Sequence, residues 1–381
     1  MHKMSDKQLQ LHIRAVILLI LSMVAIAMMA EVYKQNWDSK VTAYPTKTEA
    51  AIHGYALQLM SKMTTEEKVA QMFFGMDTSD SERAAELGLG GLLLSGQNLE
   101  GLSSGEVQAV ISSFQTASEI PMFIGANEEG GAVNTVSQYS RLRNVPFLSP
   151  SELMTTGGMQ LVETDARDKC DFLRSLGINV NLAPVCDVTT DDEAYLHGRA
   201  LGRDADDTAR YVETVVKVMN DEGMIGALKH FPGMGNLTAQ VQTDTRPMED
   251  FETADFLPFR QGLKAGAQMV VMGHSTVSAI DPNGPASLSR EAHQLLRRSF
   301  GFDGVIITDA LSAEGLEAYG DPAELAVAAV QAGSDLLLTG DFEAQIPAVV
   351  QAVKNGEIAK ERVDESVLRI LKLKIEYRIL T

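Results

Sequence analysis

Three stretches of this chain carry side chains able to attack carbon, move protons or hold a polar ligand. The first is Gly301-Phe302-Asp303-Gly304-Val305-Ile306-Ile307-Thr308-Asp309-Ala310, where an apolar run, Val305 to Ile307, ends on the carboxylate of Asp309. A short, wholly apolar run fits a strand covered on both faces, as in a parallel sheet. The second is Lys229-His230, which closes the run Gly226-Ala227-Leu228. The third is Asn127-Glu128-Glu129, just past Met122-Phe123-Ile124-Gly125. Asp77, Asp187 and His274 stand in the same relation to three further apolar runs. An aspartate can serve as a nucleophile, while lysine, histidine and asparagine can donate hydrogen bonds to the oxygens of a polar substrate. Each residue also has a plainer reading. Asp309 could cap a helix starting at Leu311. Lys229 could pair with Glu129 or Asp309, the two histidines could be satisfied donors, and Glu128-Glu129-Gly130-Gly131 could be a solvated turn. Gathered on one rim, these ionisable groups would be costly without a ligand or a proton to move, and together they point to a polar substrate pocket.

What would gather them is a repeating element. Strand-like runs recur at Met72-Phe73-Phe74-Gly75, Gly91-Leu92-Leu93-Leu94, Met122-Phe123-Ile124-Gly125 and Val180-Asn181-Leu182-Ala183. Four more follow at Gly226-Ala227-Leu228-Lys229, Met269-Val270-Val271-Met272, Val305-Ile306-Ile307 and Asp335-Leu336-Leu337-Leu338. Helical periodicity fills the gaps, as in Ala209 to Asn220 (Tyr211, Val212, Val215, Val216, Met219) and Arg290 to Arg298. Further helical patterns cover Ala51 to Met60 and the tail, Pro347 to Ile379, and Thr64-Thr65-Glu66-Glu67 is a capping-type start. Alternating strands and helices imply crossover units and a parallel sheet. Eight units over this length predict an α/β chain closed into a (β/α)8, TIM-like barrel, whose chemistry collects at the C-terminal strand ends. Gly88-Leu89-Gly90-Gly91 precedes a strand instead of following one, which excludes a dinucleotide-binding turn.

Composition narrows the partners. The chain has 381 residues, 45% of them hydrophobic, so a large core is expected. A formal net charge of -19 argues against a nucleic-acid partner. Cys170 and Cys186 form no Cys-x-x-Cys pair; they could join in one disulfide or remain two buried thiols. Lys3, Lys7 and Arg14 precede an uncharged, mostly apolar run from Ala15 to Ala30. This reads as a signal anchor over residues 1–31, or as an export signal with Ala25-Ile26-Ala27 the nearest approach to a cleavage site. The basic flank stays in the cytoplasm, so the rest is expected outside the cell, anchored to the membrane or secreted if the signal is cleaved. Residues 32–50 read as a linker and 51–381 as the barrel domain.

Two stretches are specific enough to name a relation. Lys229-His230-Phe231-Pro232-Gly233-Met234-Gly235 and Gly301 to Leu311 resemble glycoside hydrolase family 3, in its single-domain β-N-acetylglucosaminidase branch. Asn127 to Gly131, Asn181 to Val188, Gly198-Arg199-Ala200-Leu201-Gly202 and Pro285 to Ser289 support the resemblance, which covers about Ser61 to Thr381. It implies a retaining exo-β-glycosidase acting on terminal β-N-acetylhexosaminides, in cell-wall or other extracellular glycans. Asp309 matches the nucleophile that forms the glycosyl intermediate. Lys229, His230 and Arg199 match residues that hold the sugar. No cofactor or metal is implied, and no metal-ligand spacing of histidines and carboxylates is visible.

The chain also departs from that pattern. The branch carries an Asp-Ser-His motif, whose histidine is the acid/base, in a loop after Lys-His-Phe-Pro-Gly. The nearest match here is Asp244-Thr245-Arg246, and an arginine keeps its proton. Met234 replaces a histidine, and the loop Asn236 to Thr243 looks longer. Asn127 stands for an aspartate, and Ala132 and Thr135 for arginines. Asp244, with Glu249 and Asp250 nearby, becomes the candidate for the acid role. Arg246 becomes a candidate for binding an anionic group of a substrate, and Asn127 a sugar contact altered from the family's. The competing expectations are a degenerate barrel that binds glycans without turnover and, more remotely, a Lys229 Schiff-base aldolase.

Overall fold

The computed structural model describes residues 48–76, 78 and 80–380. The expected anchor, nearly all of the expected linker, and Asp77 lie outside these. Chain contacts divide the protein into Met1–Ala51 and Ile52–Thr381. A helix covers Glu49–Met60. No helix among the described residues is long and apolar enough to cross a membrane.

The second unit is a parallel barrel. Its strands are β1 Phe73–Gly75, β2 Gly91–Leu93, β3 Phe123–Ala126, β4 Val180–Asn181, β5 Ile225–Phe231, β6 Met269–Met272, β7 Val305–Thr308 and β8 Leu337–Thr339. They pair in chain order from β1 to β7, and β8 pairs with β1. A parallel bridge between Ile307 and Leu336 joins β7 to the chain entering β8, so the ring is nearly closed. All eight runs expected from the sequence are represented. Every strand residue is buried, which is why the strands read as continuous apolar runs without alternation.

The outer helices follow their sequence signals. Thr64 and Glu67 form a reciprocal capping box at the start of the helix Thr65–Gln71. In the helix Ala205–Asp221 the periodic residues Tyr211, Val212, Val215, Val216 and Met219 are all buried. The helical tail is two helices, Phe342–Asn355 and Lys360–Glu376. The first ends at Gly356, whose φ of 78° suits a residue without Cβ. Cys170 and Cys186 are both free and buried, so the disulfide alternative is not realised.

One irregularity matters for the site. Between Ala227–Leu228 and Phe231, the pairing of β5 with β6 shifts register, so β5 uses one more residue than its partner. A regular strand would send Lys229 and His230 to opposite faces. The bulge lets both side chains serve the same end of the barrel. Behind it, Phe231 is wedged among Phe256, Phe259 and Phe300, with ring centroids 6.1, 5.2 and 5.3 Å away.

Candidate active site

Asp309 follows β7 directly, and no helix begins after it, so it is not a helix cap. Its backbone N–H donates to the Met272 carbonyl at 2.9 Å, which ties it to the end of β6. The carboxylate is 17% exposed. Oδ1 accepts from the Ala310 N–H at 2.8 Å, and Oδ2 from Gln240 Nε2 at 2.5 Å. His230 Nε2 lies 3.8 Å from Oδ2. Burial alone would push this carboxyl up, but His230, His274, the Ala310 N–H and Lys229 together outweigh it and hold the pKa at about 2. Asp309 is therefore an anion at any working pH.

His230 is aimed by Asp187. One oxygen of that carboxylate accepts from His230 Nδ1 at 2.8 Å and from the His230 N–H at 2.9 Å. The other accepts from the Met234 N–H at 2.8 Å. Nδ1 is thus the donor to Asp187, and Nε2 faces Asp309 and the Arg199 guanidinium, 3.5 Å away.

Glu129 organises the opposite side. Its carboxylate takes both Nε and Nη2 of Arg199, at 2.9 and 2.7 Å, and pairs with Lys229 Nζ. Burial pushes its carboxyl up, yet the two cations overcome that and hold it at about 2. Burial also depresses the Lys229 amine despite Glu129. Lys229 Nζ donates to Asn127 Oδ1 at 3.1 Å. Glu129 is placed by a short antiparallel ladder, Glu128–Gly130 with Val133–Asn134. The turn needs glycine: Gly130 has φ 103°, and a Cβ there would fall 2.0 Å from the Leu148 carbonyl oxygen. Glu128 is fully buried and accepts from the N–H groups of Val136 and Ser137 at 2.7 and 3.1 Å. The solvated-turn reading of this stretch is thus overturned.

A strap covers residues 232–247, after β5. Its returning end, Thr243–Asp244, pairs in parallel with Thr276–Val277. Gln242 Oε1 accepts from the Thr238 and Ala239 N–H groups at 2.9 and 3.1 Å, which folds a turn leading to Gln240. Arg246 donates to Asp244 and to Asp255, and its guanidinium lies 4.4 Å from the Phe251 ring centroid. Burial pushes the Asp255 carboxyl up to about 6 against the pull of Arg246.

The structure therefore brings together Asp309, His230, Lys229, Arg199 and Asn127. It pairs Asp244 and Arg246 with each other, away from direct contact with Asp309. His274 does not present a free nitrogen: Nε2 donates to the Ala310 carbonyl at 2.9 Å, and Nδ1 accepts from Ser287 Oγ at 2.7 Å. It braces the backbone beside Asp309, and burial keeps the ring below its usual pKa. Gln240 is a contact that sequence reasoning missed. Its loop looked long, but an uncharged glutamine carries no signal of what its tip will touch. No group of histidine, cysteine and carboxylate side chains able to hold a metal occurs among the described residues. An ionised acid ringed by donors on a barrel rim is suited to attack on a polar, hydroxyl-rich substrate.

Residues 64–373 match the family model for the glycosyl hydrolase family 3 N terminal domain. Beta-hexosaminidase LpqI of Mycobacterium tuberculosis is 31% identical over 304 residues, 75% of this chain and 76% of that protein. The solved structure of M tuberculosis LpqI superposes with a TM-score of 0.76 at 28% identity, covering 84% of this chain and 96% of that one. A family 3 β-N-acetylglucosaminidase from Paenibacillus sp. str. FPU-7 gives a TM-score of 0.78 at 29% identity, covering 83% of this chain and 63% of that one.

Proposed function

Because the chain belongs to family 3 of the glycosyl hydrolases and is a glycosidase acting on carbohydrate, we propose that it is a retaining exo-β-N-acetylhexosaminidase with a weakened acid/base. In this reading Asp309 Oδ2 attacks the anomeric carbon and the bond to the glycosidic oxygen breaks. Water then cleaves the glycosyl–Asp309 ester with a second inversion. The observation that carries the reading is the Asp309 carboxylate itself, held ionised at about 2 on the barrel rim and only partly exposed. Lys229, Arg199 and Asn127 hold the sugar's oxygens beside it, and Glu129 keeps the two cations in register. The relatives' names favour an N-acetylhexosaminide as the substrate.

The acid step is the weak part. Asp244 is buried and both of its oxygens accept hydrogen bonds from Arg246, so in this arrangement it is turned to Arg246 and makes no contact with Asp309. Arg246 in turn is taken up by two carboxylates, which gives no support to a role in binding anionic substrates. A positioned general acid contributes on the order of a hundred- to ten-thousand-fold. Its loss matters least for substrates with good leaving groups.

The test is turnover of an activated aryl N-acetyl-β-glucosaminide, with mass analysis of the peptide that carries Asp309 after reaction with a slow-turnover fluorinated analogue. A glycosyl adduct on Asp309 supports the reading. If wild-type protein binds glycan but releases no aryl alcohol, the second reading holds: a barrel that binds glycans without turnover, favoured by the locked Asp244–Arg246 pair. The basic flank and apolar run at the N-terminus further support a domain held outside the cell, by an uncleaved anchor or after secretion.

A further inference from the structure

The two oxygens of Asp309 are held differently. Oδ1 accepts from the backbone N–H of its own neighbour, Ala310, a donor fixed in place on the strand end. Oδ2 is bound by a side chain at the tip of a loop, Gln240, at 2.5 Å. Oδ2 is thus the oxygen that can be released for attack, and its release frees the Gln240 amide at the reacting centre. Among the described residues Gln240 is the one strap side chain hydrogen-bonded to Asp309. Both ends of the strap are fastened, by the ladder of Thr243–Asp244 with Thr276–Val277 and by the Tyr195 N–H to Leu237 carbonyl bond at 2.8 Å. What remains adjustable is the side chain at the tip.

We propose that Gln240 donates a hydrogen bond to the departing glycosidic oxygen, standing in for the proton donor that the strap no longer carries. The inference rests on Asp309 being the nucleophile. In a retaining site the group that assists departure stands about 5 Å from the nucleophile, across the anomeric carbon. The amide therefore slides outward by about 2–3 Å as the sugar enters, and exchanges Asp309 Oδ2 for the glycosidic oxygen. Oδ2 bonds to the anomeric carbon, and the C–O bond to the leaving group breaks with its electron pair on that oxygen. The oxygen leaves as an anion stabilised by the Gln240 N–H and takes its proton from water. In the second half water attacks the anomeric carbon, Asp309 regains its carboxylate, and the water's proton passes to solvent. A neutral amide gives this help at every working pH but never gives up its proton. The enzyme should therefore discriminate steeply between good and poor leaving groups.

The experiment compares kcat/KM for a dinitrophenyl and a methyl N-acetyl-β-glucosaminide in wild type, Gln240→Ala, Gln240→Glu and Asp309→Asn. Removing one oriented donor from a developing oxyanion costs about a hundred- to a thousand-fold. That loss falls mainly on the methyl glycoside, so the aryl-to-alkyl ratio is expected to rise by about thirtyfold or more in Gln240→Ala. Gln240→Glu supplies a true acid, and its methyl-glycoside profile should gain a descending alkaline limb that wild type lacks. An unchanged ratio, whether both rates fall together or neither falls, overturns the inference. If Gln240→Ala does not fold, the limb in Gln240→Glu decides: present it supports the role, absent it overturns it. Asp309→Asn separates the two levels. An inactive Asp309→Asn with an unchanged ratio removes only the Gln240 role, whereas an Asp309→Asn protein as fast as wild type removes the nucleophile and the inference with it.

Discussion

Arg246 grips Asp244 through Nη2 and Nε, 2.8 and 3.0 Å from Oδ2, and reaches Asp255 Oδ2 through Nη1 at 2.8 Å. Asp244 is thereby paired with a cation that cannot itself release a proton.

Exchanging Arg246 for histidine should loosen that grip and add a group that titrates near neutrality. If proton delivery is what limits the enzyme, Arg246→His should raise kcat/KM on a methyl N-acetyl-β-glucosaminide by about tenfold or more, with a descending limb above neutral pH. The melting temperature should fall, because Asp255 loses its partner. Steady-state rates on alkyl and aryl glycosides at several pH values check this. No gain on the alkyl substrate would mean that the acid step was not the weak one.

Glu129 joins the two cations of the site, Lys229 and Arg199. Its side chain is 1% exposed and faces both Lys229 and Arg199. Glu129→Gln leaves two cations without their counter-charge, which should cost roughly 3–5 kcal/mol and raise KM. The pH dependence has a definite sign. A carboxyl held at about 2 when folded, against 4.5 as its ordinary value, adds stability that is complete above the ordinary value. That stability drains away as pH falls from about 4.5 towards 2. Urea midpoints measured from pH 6 to pH 3 should drop more steeply in wild type than in Glu129→Gln.

The barrel was legible in the sequence because its strands are covered on both faces, so each appears as an apolar run with a polar residue at its end. That pattern picked out Asp309, Lys229, His230 and Asn127, which the fold brings together, without any knowledge of contacts. It could not tell the residues grouped around Asp309 from those bracing them. His274 sits at a strand end like the others, yet both its nitrogens are spent on Ser287 and Ala310. Glu129 read as part of a turn, because the ladder that buries it depends on Gly130 meeting Leu148, eighteen residues on. Gln240 was invisible for a different reason: a loop tip is placed by its anchors, here Gln242 and the pairing with Thr276–Val277, and not by any periodicity of its own.

Lys374 lies far from that chemistry and makes a separate prediction about stability. It is fully buried on the helix Lys360–Glu376, where its amine donates to Gln71 Oε1 at 2.8 Å and sits 5.1 Å from the Phe123 ring centroid. No carboxylate is among these partners, and burial pushes its pKa down from 10.5 to about 7. Between those two values the unfolded chain holds a proton that the folded chain has given up, so stability should rise as pH rises from about 7 to 10.5. Below about 7 both states are charged, and the folded one bears the full cost of a buried ammonium, up to roughly 5 kcal/mol. Lys374→Met removes that cost but leaves Gln71 Oε1 without its donor, a loss of about 1–3 kcal/mol. The variant should therefore be the more stable protein at pH 7, by about 2 kcal/mol or more, with an advantage that shrinks towards pH 10. Urea unfolding of both proteins at pH 6, 8 and 10 measures it directly. A Lys374→Met protein that is less stable at pH 6, or an advantage that grows with pH, would show that the amine is held by something stronger than one amide oxygen and a ring face.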